Sequence, residues 1–529
     1  MFCLFILFSK IDYLPPDSIR EGMKGYGVTV FHGTRIDTFG VEILGVIKRD
    51  VSGKSLIIAR LYGEPVEFSG ILAGMSGSPV YINGKLIGAL AYAWAFSKIP
   101  ICGITPVENM LEGKGEGAGV PELETMPSVL SITGFSEEVT KKFEEVFKEY
   151  SMIPVLTGYA EKTAPLKPGG VVGALLMDGD GRVAAMGTIT FIDGKKLYAF
   201  GHPLFLSGEC EIPMTDGYVH AYLPSIYHSF KLSSPGRIIG TLVEDRDGAV
   251  VGILGKNPRM IPLVVSDGKV KKQYKICRVP WLFPRLAGVA VFNLVLEKTG
   301  FDGEFTAKMK MRFTVKGKPI ELEWYETGKN MPGLAYGDVD DVLSEVVMNP
   351  YKPVFPDSVK VEFSLEKGIR KREILSLQLP RKEFEPGEKM EVILRMREYG
   401  KGIVVRKIKV KAPSLPGEYT LRVSGGREDF EFERSRVPGN YQTETLEDLL
   451  RVLSKIPQGD ELVLKIYSNR TVLSGKGKEF SSLPPSFTHL LSSSPYILKG
   501  KGELVTSHVE HTGYVITGEK SVNFRVRRK

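Results

Sequence analysis

Residues 74–90 leave the chain few conformational choices. Gly74-Met75-Ser76-Gly77-Ser78-Pro79 runs into Val80-Tyr81-Ile82, an Asn83-Gly84 pair and a second apolar run, Leu86-Ile87-Gly88-Ala89-Leu90. Asn-Gly between two apolar runs predicts a β-hairpin. The glycines ahead of it predict a tight entry turn. A serine between two glycines on such a turn exposes its hydroxyl and aims its own N–H at the same point. Acyl transfer needs both from one turn, a nucleophile and an oxyanion donor. An ordinary turn uses the same residue types, so the rest of the chain must decide between the two.

At 529 residues the chain is too long for one core, and three to five domains are expected. Its 58 glycines and 33 prolines punctuate many short alternating segments, which predicts a mainly β protein. Lysine and arginine exceed aspartate and glutamate by 70 − 62 = 8. That excess is mild for the length and clusters only in the tail 525–529, so nucleic-acid binding is not expected. Cys3, Cys102, Cys210 and Cys277 lie far apart, with no Cys-x-x-Cys, and predict neither a zinc ribbon nor a disulfide scaffold. No later segment is apolar enough for a transmembrane span. The apolar start, 1–8, is too short to span a bilayer, and residues 1–14 are read as a truncated secretion signal. The protein is therefore expected to be secreted or in the cell envelope.

Composition shifts divide the remainder. Residues 15–115 form a serine-bearing β module, closed by a helix with Thr105 as cap and Pro106 at its first position. A glycine-rich joint (113–119) leads to a second β module, 116–265. This module opens with a helix after Ser136 whose apolar face is Val139, Phe143, Val146 and Phe147. Residues 266–345 read as a β-rich extension. Residues 346–430 read as an immunoglobulin-like β-sandwich, with alternation at Val359-Val361-Phe363-Leu365 and Met390-Val392-Leu394-Met396. Residues 431–529 read as a small α/β lobe, with a helix capped by Thr443.

A serine nucleophile needs a base. Of seven histidines, His202 has the most telling context: the strand Tyr198-Ala199-Phe200 ends at Gly201, and the imidazole follows on the turn before Pro203. A rigid strand with an exposed ring at its end suits a general base. His32, in Phe31-His32-Gly33, is nearer to Ser76 in sequence and has weaker surroundings.

Two remote segments, taken together, resemble the SpoIVB (stage IV sporulation protein B) serine peptidases, which are trypsin-like. The first is Gly74–Pro79 with the following Asn83-Gly84-Lys85-Leu86-Ile87-Gly88-Ala89 and the element from Gly103-Ile104 to Met110-Leu111. The second runs from Gly187-Thr188 to Gly201-His202 and continues at Ser234-Pro235-Gly236 and Gly252-Ile253-Leu254-Gly255. The resemblance implies Ser76 as nucleophile and His202 as base. By trypsin-like analogy it implies an oxyanion hole from the N–H groups of Gly74 and Ser76. It implies a permuted trypsin-like double β-barrel, because in the family the histidine segment comes first and here it follows the serine. The family's acid lies shortly before the nucleophile turn, where this chain has Arg60-Leu61-Tyr62-Gly63-Glu64 and no aspartate. Asp245, in the histidine module, is the substitute, ahead of Glu64 and Glu67. No PDZ domain is recognisable.

The leading expectation is a serine endopeptidase acting on protein or peptide substrates, itself included, without a cofactor. The alternative is a catalytically inactive peptidase-like scaffold that binds cell-envelope proteins or glycans. A metal site of His202, Cys210, His220 and His228 is a third reading, and its spacings fit no compact zinc pattern.

Overall fold

The structure, a computed structural model, describes residues 11–48, 55–94, 96–112, 124–160, 162–481, 483–494 and 496–527. The apolar start (1–8), the glycine-rich joint (113–119) and the last two residues of the basic tail lie outside the described residues. Strands hold 51% of the chain and helices 18%, so the protein is mainly β. The chain divides into two compact units, one of residues 1–262 with 273–289, the other of 263–272 with 290–529.

The first unit contains two closed barrels, each of six antiparallel strands. The first has the order Pro79–Ile82, Lys24–Val30, Ile36–Lys48, Ser55–Tyr62, Ile101–Pro106, Lys85–Ala93, and pairing of the last with Pro79–Ile82 closes it. Alternation builds it: Phe39, Val41 and Ile43 point inward from one strand, Ile57, Ala59 and Leu61 from the next, and they meet in one core. The second barrel has the order Val171–Gly179, Gly208–Leu223, Phe230–Arg246, Ala249–Leu254, Lys196–Ala199, Arg182–Asp193, with the last paired back to the first. Residues 171–177 and 183–191 are buried at every position, because both faces of these strands are covered. Outside it the strand Ser128–Thr133 pairs with Arg182–Met186, and the helix Glu137–Phe147 buries Val139, Phe143, Val146 and Phe147 as its spacing predicts. Closure removes the open edges that exposed strands present.

The end of the first barrel differs from expectation. Thr105 and Pro106 finish a strand, and the helix starts only at Val107. The Thr105 hydroxyl does not cap it. It donates to the carbonyl of Gly201 in the second barrel at 2.7 Å, a tertiary partner that local sequence cannot announce.

In the second unit, Phe305–Val315 pairs with Lys318–Gly328 and with Ser358–Lys367, and the helix Met331–Val347 packs on the first two. Two further sheets share one core. Strands from 371–411 supply Ile374, Met390, Val392, Leu394 and Met396, and strands from 417–526 supply Leu421, Val423, Leu462, Leu464 and Phe524. That core draws on both of the last two sequence segments. The late helix begins at Leu446 with Thr445 as its cap, accepting from the N–H of Asp448. Thr443, expected as the cap, instead receives the Tyr351 hydroxyl at 2.7 Å. No helix of the described residues is long and apolar enough to cross a membrane.

Closure of the first barrel is testable at Gly25. A Cβ there would stand 2.0 Å from the Tyr81 carbonyl oxygen across the closing pair, whereas one at Gly45 would meet nothing within 4 Å. Gly25→Ala is expected to cost about 3 kcal/mol in denaturant unfolding, and Gly45→Ala to stay within about 0.5 kcal/mol of the parent.

Candidate active site

The Gly74–Pro79 turn sits where the two barrels meet. Gly74 and Gly77 have φ of 90° and 91°, the left-handed region open to glycine. The turn closes on itself through Ser78, whose N–H and hydroxyl both donate to the Met75 carbonyl, at 2.9 and 2.6 Å. It is then pinned to the second barrel. The Thr188 N–H donates to the Ser76 carbonyl at 2.9 Å, the Thr188 hydroxyl to the Gly74 carbonyl at 3.0 Å, and the Thr190 hydroxyl to the Gly77 carbonyl at 2.7 Å. On the other side the Gly77 N–H donates to Leu90 in its own hairpin at 2.7 Å. Carbonyls are thus drawn away from the centre of the turn. Among the described residues the N–H groups of Gly74 and Ser76 donate to no protein acceptor.

The histidine segment packs directly on this turn. A Cβ on Gly77 would lie 2.1 Å from the Thr188 oxygen and 2.5 Å from the Phe200 nitrogen. Gly201, at φ 72°, lies so close to the serine hairpin that its Cβ would stand 3.0 and 3.2 Å from the Cβ atoms of Ala89 and Ala91. Phe200 itself has φ 65°, which aromatic residues rarely adopt. This strained corner turns the chain so that His202 follows on the loop that joins Lys196–Ala199 to Gly208–Leu223 in the second barrel.

Two buried polar atoms are left unpaired there. Ser76 has no exposed surface and its Oγ has no partner; His202 is 3% exposed and its Nε2 has none. The two side chains do not hydrogen-bond to each other. His202 Nδ1 lies 2.7 Å from the Pro203 carbonyl oxygen. A carbonyl only accepts, so in the neutral ring Nδ1 carries the hydrogen and Nε2 keeps its lone pair. Burial pushes the imidazole down to about 4, which keeps it neutral at ordinary pH.

Asp245 takes a supporting place. Its carboxylate accepts from the N–H groups of Leu204 and Phe205 at 2.8 Å each and of Ser207 at 3.2 Å. Those bonds shape the loop that follows His202. The ring itself faces Pro203, so among the described residues no carboxylate orients it. Burial raises the Asp245 carboxyl above its ordinary range, opposed by the same three N–H groups. Glu64, Glu67 and His32 are exposed. His220 is engaged at 2.8 Å with the Ser234 hydroxyl, and among the described residues no three His, Cys, Asp or Glu side chains gather as a metal set.

The sequence reading passed over Lys231. Its stem lies against Gly74, with Cβ 3.5 Å from where a Gly74 Cβ would be, and its backbone N–H donates to Ala73. The ammonium is buried and meets the Thr29 hydroxyl at 2.6 Å. Among the described residues no carboxylate pairs with it. Desolvation alone draws it down to about 7. The signal was an inversion: in this strand Lys231 and Ser233 are buried while Phe230 and Leu232 are only half-buried.

Protonation links this site to stability. The unfolded chain takes up a proton on His202 near pH 6.5 and the folded chain only near 4, so stability is lost as pH falls through that window. The stability difference between the parent and His202→Gln should change by about 3 kcal/mol between pH 7.5 and 4, read by denaturant unfolding. Asp245→Asn turns an amide N–H toward backbone N–H groups and is expected to cost about 2 kcal/mol in the same assay.

No curated protein and no solved structure matches the chain. A family model described as SpoIVB peptidase S55 matches residues 14–111. The match takes in the whole first barrel, with Ser76 inside it, and ends before the barrel that bears His202. The serine-bearing barrel is thus similar, at the level of the family, to the SpoIVB S55 peptidases.

Proposed function

We propose that the protein is a serine endopeptidase that cleaves protein substrates through an acyl-enzyme, with Ser76 as nucleophile and His202 as base. The observation that carries this reading is that two buried atoms without partners among the described residues, Ser76 Oγ and His202 Nε2, lie on segments that pack against each other. Burying such groups without partners costs roughly 1–3 kcal/mol each, a cost tolerated where function needs it.

The chemistry follows from the geometry. Ser76 Oγ attacks the scissile carbonyl while His202 Nε2 takes its proton. The oxyanion lies against the free N–H groups of Gly74 and Ser76, held in place by the threonine bonds behind them. The imidazolium gives its proton to the leaving amine, and water then resolves the ester by the reverse path. The Pro203 carbonyl holds the required tautomer, and Asp245 acts on the ring only through the loop it organises. Substrate must displace whatever covers Ser76, which has no exposed surface here.

One observation favours the inactive-scaffold reading: among the described residues no carboxylate meets the His202 ring to steady an imidazolium. A fluorophosphonate probe separates the two. Labelling at Ser76 that falls at least about 100-fold in rate in His202→Ala is expected, and an unlabelled folded protein identifies a scaffold. Because burial depresses His202, the acid limb of the labelling rate should fall near pH 4 rather than near 6.5.

A further inference from the structure

A cleft opens beside the Ser76 turn, about 770 Å³ with its solvent-filled mouth. Both of its walls lead to the candidate nucleophile. One is the segment Ser69–Ala73, which runs directly into Gly74. It is stitched to the tip of the Gly208–Arg246 hairpin by the Ala73 N–H on the Ser229 carbonyl at 2.8 Å and the Lys231 N–H on the Ala73 carbonyl at 3.0 Å. The other continues the strand Lys85–Ala93, whose Leu90 carbonyl holds Gly77, into Trp94 and Phe96.

Large apolar and aromatic side chains, Ile71, Trp94, Phe96, Ile99 and Tyr227, line it together with the small polar groups of Ser69, Ser97, Thr125 and Ser225. Among the described lining residues there is no aspartate, glutamate, lysine or arginine, and His228 is the one histidine. The mouth exposes large apolar side chains that solvent disfavours. Ile226 is 97% exposed, Phe96 72% and Tyr227 69%, with the rings of Phe96 and Tyr227 5.9 Å apart. Isolated exposed apolar residues need no explanation, but several gathered at the mouth of a concave, uncharged cleft mark a binding site.

Resting on the peptidase reading, we propose that this cleft takes a bulky apolar side chain, aromatic or long aliphatic, from the substrate residue that owns the carbonyl under attack. That carbonyl must sit against the Gly74 and Ser76 N–H groups, and the cleft wall begins one residue away, at Ala73. The side chain nearest the reacting carbon is therefore the one that reaches the cleft. A lysine or aspartate there would lose its hydration with no opposite charge to meet it. Trp94, Phe96 and Ile99 act as specificity-determining residues.

Two measurements test this, one independent of catalysis. In the first, peptidyl diphenyl phosphonates carrying a phenylalanine-, leucine-, lysine- or aspartate-like side chain react with the intact protein. Ser76 Oγ bonds to phosphorus, phenoxide leaves, and His202 takes the serine proton. The phenylalanine and leucine probes should inactivate at least about 100-fold faster than the charged ones. Phe96→Ala should slow the phenylalanine probe about tenfold, and Ile99→Glu should shift the ranking toward the lysine probe by about tenfold. Equal rates across the four probes, or an unchanged ranking in Ile99→Glu, overturn the proposal while leaving the nucleophile in place.

In the second, N-acetyl-phenylalanine amide and N-acetyl-lysine amide are titrated onto Ser76→Ala, with Trp94 emission assigned by Trp94→Phe. Selective response to the phenylalanine ligand supports the cleft even if no phosphonate labels Ser76, in which case the peptidase reading alone falls. Equal response to both ligands, or none, overturns the cleft. An emission change that follows protein concentration instead identifies a second copy of the chain as the occupant and also overturns it.

Discussion

Three hydrogen bonds hold the functional centre of this protein together. Thr188 and Thr190 of the second barrel grip the carbonyls of Gly74, Ser76 and Gly77 in the first. Every other feature of the site depends on that grip. With those carbonyls turned toward the threonines, the N–H groups of Gly74 and Ser76 are left without an acceptor among the described residues. The contact is possible because Gly77 lacks a side chain: a Cβ would overlap the backbone of both Thr188 and Phe200. The Gly74–Pro79 turn belongs to one barrel in sequence and to both in mechanics.

Around this contact the protein places polar groups at a cost. Among the described residues Ser76 Oγ and His202 Nε2 are buried without partners and Lys231 without a counter-ion, and Phe200 sits in a left-handed conformation. Strain and unmet polarity gathered in one place fit a site more readily than a core, because a core of this size minimises both. Asp245 shows the opposite logic. Its two oxygens are fully used on the loop that carries His202 onward, so its charge serves the position of the loop.

Parts of this were legible in the residues. The hairpin after Ser76 was readable because Asn83-Gly84 and alternating apolar residues are local signals, and the helix after Ser136 because its apolar face repeats at helical spacing. His202 stood out because its strand ends in glycine, but the ring expected to be exposed on the turn is buried, since the loop that carries it is packed from several sides. Lys231 was hidden, since an inward lysine is invisible to a rule that assigns apolar residues to the inside. Thr105 was misread as a cap because a threonine before a proline looks local, while its partner, Gly201, lies 96 residues away. The sandwich core was harder still, since Leu421 and Leu464 join it from segments separated by two helices.

The sequence by itself determined which turns exist and what chemistry each presents: a serine on a glycine turn, an imidazole at the end of a strand, and many short strands that must pair. Glycine patterning and alternation act over a few residues, so these are readable without a fold. Only the tertiary structure decided that strands 171–254 close into a second barrel, that its threonines take hold of the first barrel's turn, and which wall of the resulting cleft meets Ser76. Those outcomes depend on barrel closure and on backbone groups brought together from distant parts of the chain, and no local pattern of side chains encodes that meeting.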